Sequence, residues 1–312
     1  MKAFSTLFRL GVACVLLGLA LPLAKAAEVE RPNFIIIFCD DLGYADIGPF
    51  GSENHRTPNL DRMAAEGRRF TSFYVTSGVC SPSRSSLMTG CYPKRVGLHQ
   101  NEKGQGVLFP GNQRGLNPSE ITVAEVLKAR GYATGIVGKW HLGDDLESQH
   151  GFHEWVSSED GHRPEYTRRE YLRRMSDYHR YLVDQGYEPE TEVAGEKIFD
   201  AFQRAELPEE HQMAAFLGRG AAEFIGRNKD RPFVLYVSTF EPHPPFYGPL
   251  NDLYDPDDIP TGPTFLQRPE GGSLVNRARA DYNLQFIDTG VTPSPDEYIV
   301  AANAAGLGNE GT

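Results

Sequence analysis

Apolar residues in this chain gather in short unbroken blocks, separated by segments of helical period. Asn33-Phe34-Ile35-Ile36-Ile37-Phe38-Cys39 is a continuous β-branched and aromatic run. It predicts a strand buried on both faces of a parallel sheet, because a sheet covered on both sides loses the apolar–polar alternation. Ala133 to Val137 and Pro232-Phe233-Val234-Leu235-Tyr236-Val237-Ser238 read the same way. Between them, Thr57-Pro58-Asn59 opens a helix with Leu60, Met63 and Ala64 on one face and Gly67 as its stop. Thr122-Val123-Ala124-Glu125 is a capping box for a helix to about Arg130. His211 to Arg227 is a third helix despite Gly218 and Gly220. Arg68 to Val75 is expected as a further strand, and the Gly-, Asn- and Pro-rich Tyr92 to Pro118 as loop. His162 to Leu182, arginines interleaved with tyrosines, is expected as an exposed helix, and Glu190 to Leu207 as a surface helix.

The three buried strands each run straight into polar residues: Asp40 and Asp41, Lys139 and His141, and Glu241-Pro242-His243-Pro244. Taken singly, Asp-Asp is a solvated turn or a pair of hard oxygen ligands, and Gly-Lys-Trp-His a turn with an exposed lysine. His243 between prolines is a turn cap or a histidine held with little freedom to lose on binding. Together they predict one shared site, since ligands of open α/β sheets gather outside the carboxyl ends of the strands. A spacing of two along extended chain would put Lys139 and His141 on the same side. Into this place points the stretch Gly78 to Gly90, with Cys80 at a helix start. The unpaired N–H groups and positive dipole of such a start suit an anion or a nucleophile. Pro82 is tolerated in the first turn, and Arg84 lies about one turn on, placed to orient Cys80 and add charge. An isolated cysteine would more simply be a small buried thiol.

Cys80-Ser81-Pro82-Ser83-Arg84, followed by Leu87-Met88-Thr89-Gly90, resembles the signature of the formylglycine-dependent sulfatases. Gly131-Tyr132-Ala133-Thr134-Gly135-Ile136-Val137-Gly138-Lys139-Trp140-His141 resembles that family's second signature, and the likeness runs from about Asn33 to at least Pro249. The resemblance implies an α/β chain with the alkaline-phosphatase-like α/β/α sandwich and a large, mostly parallel mixed sheet. It implies hydrolysis of sulfate esters, aryl sulfates or sulfated saccharides. Cys80 would be converted by a formylglycine-generating or radical maturation enzyme to an aldehyde, whose hydrate is the nucleophile. Arg84 would stabilise that nucleophile. Lys139 and His243 would neutralise the sulfate, His243 also protonating the leaving oxygen, and His141 would take the proton that lets sulfate depart. Asp40, Asp41 and the modified residue 80 would hold a divalent cation, calcium by family likeness, with magnesium as the alternative. Two other readings stand beside this one. One is a phosphonate or phosphate ester hydrolase of the same superfamily; the other is an inactive sulfatase-like fragment that at most binds sulfated glycans, for which the Arg/Tyr segment 162–182 is the candidate surface. An ordinary thiol enzyme fits poorly, since no histidine near Cys80 in sequence marks a general base.

Composition narrows the partners. The net charge of −11 argues against nucleic acid. Lys2 and Arg9, the apolar run Leu10 to Leu23 and Ala24-Lys25-Ala26 read as a signal peptide over residues 1–26, too short for a comfortable membrane span. Its removal takes the charge from −11 to −14 and implies an exported, periplasmic or extracellular protein without a stable membrane span. Cys39, Cys80 and Cys91 remain, an odd number, so disulfides are not expected to organise the fold. Residues 27–312 then read as the catalytic domain of a sulfatase, incomplete in its last part. The family's later metal ligands, an aspartate followed by asparagine or histidine on a late strand, and a later lysine have no counterpart. Asp288-Thr289-Gly290 follows an expected helix from Tyr282 to Ile287, not a buried strand. The acidic run Asp255, Asp257 and Asp258 is expected as solvated loop. The chain thus reads as truncated, with an open sheet edge and its own activity in question.

Overall fold

A computed structural model of the chain describes residues 31–100, 106–108, 114–158 and 169–258 apart from 245 and 247, with scattered positions between 260 and 281. The expected signal segment, the helix expected from Tyr282 to Ile287 and the Asp288-Thr289-Gly290 stretch lie outside these residues.

Through Leu250 the chain is an α/β layer structure. Four parallel strands, β1 (Phe34–Phe38), β2 (Ala133–Gly138), β3 (Glu154–Val156) and β6 (Phe233–Ser238), lie in the order β1-β6-β2-β3. Side chains alternate across the two central strands, and this alternation builds a core on each face. Ile136 and Tyr236 point to one side, where they meet Met88, Ala124, Trp140 and Phe152. Val137, Leu235 and Val237 point to the other, against Tyr178, Leu182, Leu217 and Phe224. Helices α2 (Cys80–Thr89) and α3 (Val123–Ala129) supply the first core; α5 (Asp177–Asp184) and the long α7 (Met213–Asn228) supply the second. The capping box at α3 forms as read: Thr122 Oγ1 accepts from Glu125 N at 3.2 Å, and Glu125 Oε2 from Thr122 N at 2.7 Å. Helix α1 (Pro58–Glu66) also forms; on its expected apolar face Leu60 and Ala64 are half-buried, while Met63 is exposed.

Several expectations fail, each for a physical reason. β1 is a strand but is not buried on both faces: Ile36 and Phe38 pack against the first core, while Ile35 and Ile37 on the other face are 47% and 53% exposed, no β1 residue joining the second core. Cys39 is accordingly half-buried. Residues 68–75 form no strand: Phe73 N donates to Tyr44 Oη and the carbonyls of Phe70 and Phe73 accept from it, so a side chain takes the place of a ladder. Segment 162–182 is, where described, two helices, α4 (Arg169–Leu172) and α5, and Tyr171, Leu172 and Tyr178 are core residues. The surface helix over 190–207 is a hairpin, β4 (Thr191–Val193) and β5 (Glu196–Ile198), followed by the short α6 (Ala201–Ala205). Its two turn residues, Ala194 at φ 51° and Gly195 at φ 80°, adopt the positive φ pair that the tightest hairpin turn requires. Strand β3 had no counterpart in the sequence reading.

From Asn251 onward a second unit holds two 3-10 turns, Asn251–Leu253 and Pro256–Asp258. Asp255, Asp257 and Asp258 are exposed there, as expected of solvated loop. No described helix is long and apolar enough to cross a membrane.

Candidate active site

Helix α2 starts at Cys80, behind an extended Val79, and stops at Gly90, whose left-handed backbone lets its N–H reach Ser86 O. The buried face of this helix is unusually polar: Ser81, Arg84 and Ser85 are all inside. Two of them are tied locally, Ser81 Oγ accepting from Leu108 N at 2.9 Å and Ser85 Oγ donating to Pro82 O at 2.7 Å. Arg84 instead spans the strand tips. Fully buried, it donates to Lys139 O at 3.2 Å, to Tyr236 Oη at 3.0 Å and to Ser238 Oγ, and its guanidinium lies 5.0 Å over the Phe38 ring.

Asp40, just past β1, faces this arginine at 3.5 Å and Lys139 Nζ at 2.8 Å. Lys139 is also fully buried, its ammonium 4.6 Å from the centre of the Phe240 ring. Burial opposes ionisation of Asp40, but Lys139 and Arg84 outweigh it and hold the carboxyl below its usual range. Two buried cations therefore surround one carboxylate. Cys80 lies in the same field: burial pushes its thiol up, and Lys139 and Arg84 bring it only part of the way back. The Asp40 carboxylate beside it pushes the thiol up further.

His243, past β6, is half-exposed, with Nε2 4.0 Å from Asp41 Oδ2. Its Nδ1 lies 2.7 Å from Pro244 O; a carbonyl only accepts, so Nδ1 carries the proton and a neutral ring has Nε2 as acceptor. His141 is buried on the turn after β2. That turn is not extended, as the spacing argument assumed: Gly138 has φ 108° and His141 φ 58°. A Cβ at Gly138 would be driven into the Ser238 carbonyl oxygen, so only glycine lets β2 turn toward β6 at this point. Lys139 N then donates to that same oxygen at 3.0 Å.

The structure thus gathers Asp40, Cys80, Arg84 and Lys139, with Asp41 and His243 as a second pair beside them. As a cation site the gathering is incomplete. Among the described residues no three His, Cys, Asp or Glu side chains converge as metal ligands, and Asp40 Oδ2 is already engaged by Lys139 and Arg84. Asp40, Asp41 and Cys80 therefore do not form the three-donor cluster the sequence suggested. The partners Tyr236, Ser238, Phe38 and Phe240 escaped the sequence reading. Tyr236 and Ser238 were detectable in principle, as hydroxyls two residues apart, hence on one side, in an otherwise apolar strand.

The family described as Sulfatase matches residues 32–267. Arylsulfatase A of Bos taurus is 49% identical over 138 residues, 43% of this chain and 26% of that protein. N-acetylgalactosamine-6-sulfatase of Canis lupus familiaris is 34% identical over 232 residues, 72% of this chain and 42% of that protein. The crystal structure of Ps i-CgsB aligns with 89% of this chain and 56% of its own at 26% identity, with a TM-score of 0.49. The chain spans less than half the length of the curated relatives it matches.

Proposed function

The chain belongs to the sulfatase family, within the alkaline-phosphatase superfamily, and from that premise we propose that it carries the nucleophile-bearing part of a sulfuric ester hydrolase. The substrate class is an aryl sulfate or a sulfated saccharide. The observation that carries the reading is the buried Arg84–Asp40–Lys139 cluster against the first turn of the Cys80 helix, at the carboxyl ends of parallel strands.

Sulfatases use a metal ion and a formylglycine, and residue 80 is the position for the latter. Converted to the aldehyde and hydrated, it supplies a nucleophilic hydroxyl and a geminal one that gives the reaction an exit. The remaining work falls to side chains already in place. Arg84, fixed by its bonds to Tyr236 and Lys139 O, presents positive charge one turn from residue 80 without having to reorganise. Lys139 neutralises sulfuryl oxygens when it turns from Asp40 to the substrate. His243, protonated on Nε2, gives the leaving alcohol its proton, and His141 takes the proton whose removal frees sulfate. A calcium or magnesium ion would be held by Asp40 and Asp41, the carboxylates that follow β1, and would supply charge neutralisation at the sulfuryl oxygens. The protein is exported by its N-terminal segment and meets its maturation enzyme before or during export.

The test is expression of the full chain together with a formylglycine-generating enzyme. Mass analysis of the tryptic peptide 70–84 is then paired with turnover of an aryl sulfate and the matched aryl phosphate. The reading expects an aldehyde at residue 80 and preferential release of sulfate. An aldehyde-bearing, folded chain that releases phosphate faster, or neither anion, would overturn it.

A further inference from the structure

His141 holds a backbone conformation that a residue with a Cβ adopts rarely, at φ 58°. One side chain accounts for it. Asp145, 1% exposed, accepts through Oδ1 from His141 N at 2.6 Å and from Trp140 N at 3.1 Å. Two consecutive backbone N–H groups thus converge on one buried carboxylate oxygen, the arrangement by which a turn otherwise grips an anion. Asp145 is itself pinned on both sides: its N–H donates to Tyr171 Oη at 3.0 Å, and its carbonyl accepts from Trp155 Nε1 at 2.8 Å. Tyr171 is on α4 and Trp155 on β3, so two separate elements set the position of the carboxylate. The turn is clamped at its ends as well, by Lys139 N to Ser238 O at 3.0 Å and Leu116 N to Leu142 O at 2.8 Å. Between those clamps the direction of the His141 side chain depends on the backbone rotation that Asp145 imposes.

We infer that Asp145 is a positioning residue for His141: its carboxylate fixes the left-handed turn that aims the imidazole, without itself touching substrate. The inference rests on the role proposed above for His141. Displacing a proton-transfer group by about an ångström costs about 10²-fold in rate. Binding of the ester, which falls to other side chains, should change little.

The test compares the matured full chain with Asp145→Ala and Asp145→Asn, all labelled with ¹³C-histidine, the His141 ring signal being assigned with His141→Gln. Asp145→Asn keeps an acceptor oxygen in place, so it should retain both kcat and the His141 signal. Asp145→Ala should shift that signal while the other histidines stay, and lower kcat about 10²-fold with KM nearly constant. A folded Asp145→Ala chain with wild-type kcat and an unmoved His141 signal would overturn the inference. Were Asp145→Ala not to fold, Asp145→Ser, too short to reach both N–H groups, takes its place, and a folded Asp145→Ser chain with wild-type kcat and an unmoved His141 signal would overturn the inference too. If the wild type hydrolyses no sulfate ester, the proposed activity fails, and the ring signals alone decide the role of Asp145.

Discussion

Replacing Asp40 by asparagine keeps the shape of the side chain and removes the charge that two buried cations face. Lys139 Nζ is 2.8 Å and Arg84 Nη2 3.5 Å from Oδ2, and both cationic side chains have no solvent exposure. At an effective dielectric of about 20 these contacts are gross attractions of about 6 and 5 kcal/mol. Desolvation cancels much of that sum, and removing one partner of a buried pair costs about 3–5 kcal/mol, because the remaining charge is stranded. For a domain of this size the loss lowers the unfolding midpoint by about 10 °C. Adding Lys139→Met to Asp40→Asn should restore part of it, since one stranded cation is then gone. The pH dependence has a definite sign. The Asp40 carboxyl is held below its ordinary 3.8, so its stabilisation is complete above that value and disappears as pH falls through the lower, folded-state value. The gap between wild type and Asp40→Asn in thermal or urea unfolding should therefore be full at neutral pH and close below about pH 4. An Asp40→Asn chain within about 1 kcal/mol of wild type at pH 7 would refute the claim that this carboxylate balances the cluster.

Two further substitutions test the frame around the site. Gly138→Ala should lower the unfolding midpoint and disturb Lys139 together, because the new Cβ meets the Ser238 carbonyl at a backbone angle alanine avoids; urea unfolding and the reactivity of Lys139 toward an amine reagent read the two effects. Thr122→Ala removes the N-cap of α3 and a 2.7 Å bond to His150 O, and should cost about 1–2 kcal/mol in denaturant unfolding with the site chemistry intact.

What could be read from the sequence was whatever depends on neighbours along the chain. The apolar runs at 34–38, 133–138 and 233–238 became strands, the Thr122–Glu125 box capped its helix, and Cys80 began one. The rule that sites form at the carboxyl ends of parallel strands then brought Asp40, Cys80, Arg84, Lys139 and His243 to one region of the fold. The errors came where residues of one local character met different surroundings. The run 68–75 has strand composition but found the Tyr44 hydroxyl where a ladder would be. The stretch 190–207 reads as amphipathic helix, yet Ala194-Gly195 turned it into a hairpin.

Local sequence alone thus determined which segments are strands and helices, and which residues stand at their ends, because short-range sterics and hydrogen bonding are set within a few residues. The tertiary structure decided what those residues face. That Arg84 spans from α2 to Tyr236 and Ser238, that one carboxylate meets two buried cations, and that Tyr171 and Trp155 pin the Asp145 backbone are all contacts between separate elements of the fold. A hydrogen bond or an ion pair is fixed by distances of a few ångströms in space, and separation along the sequence says nothing about such distances until the sheet and helices have packed.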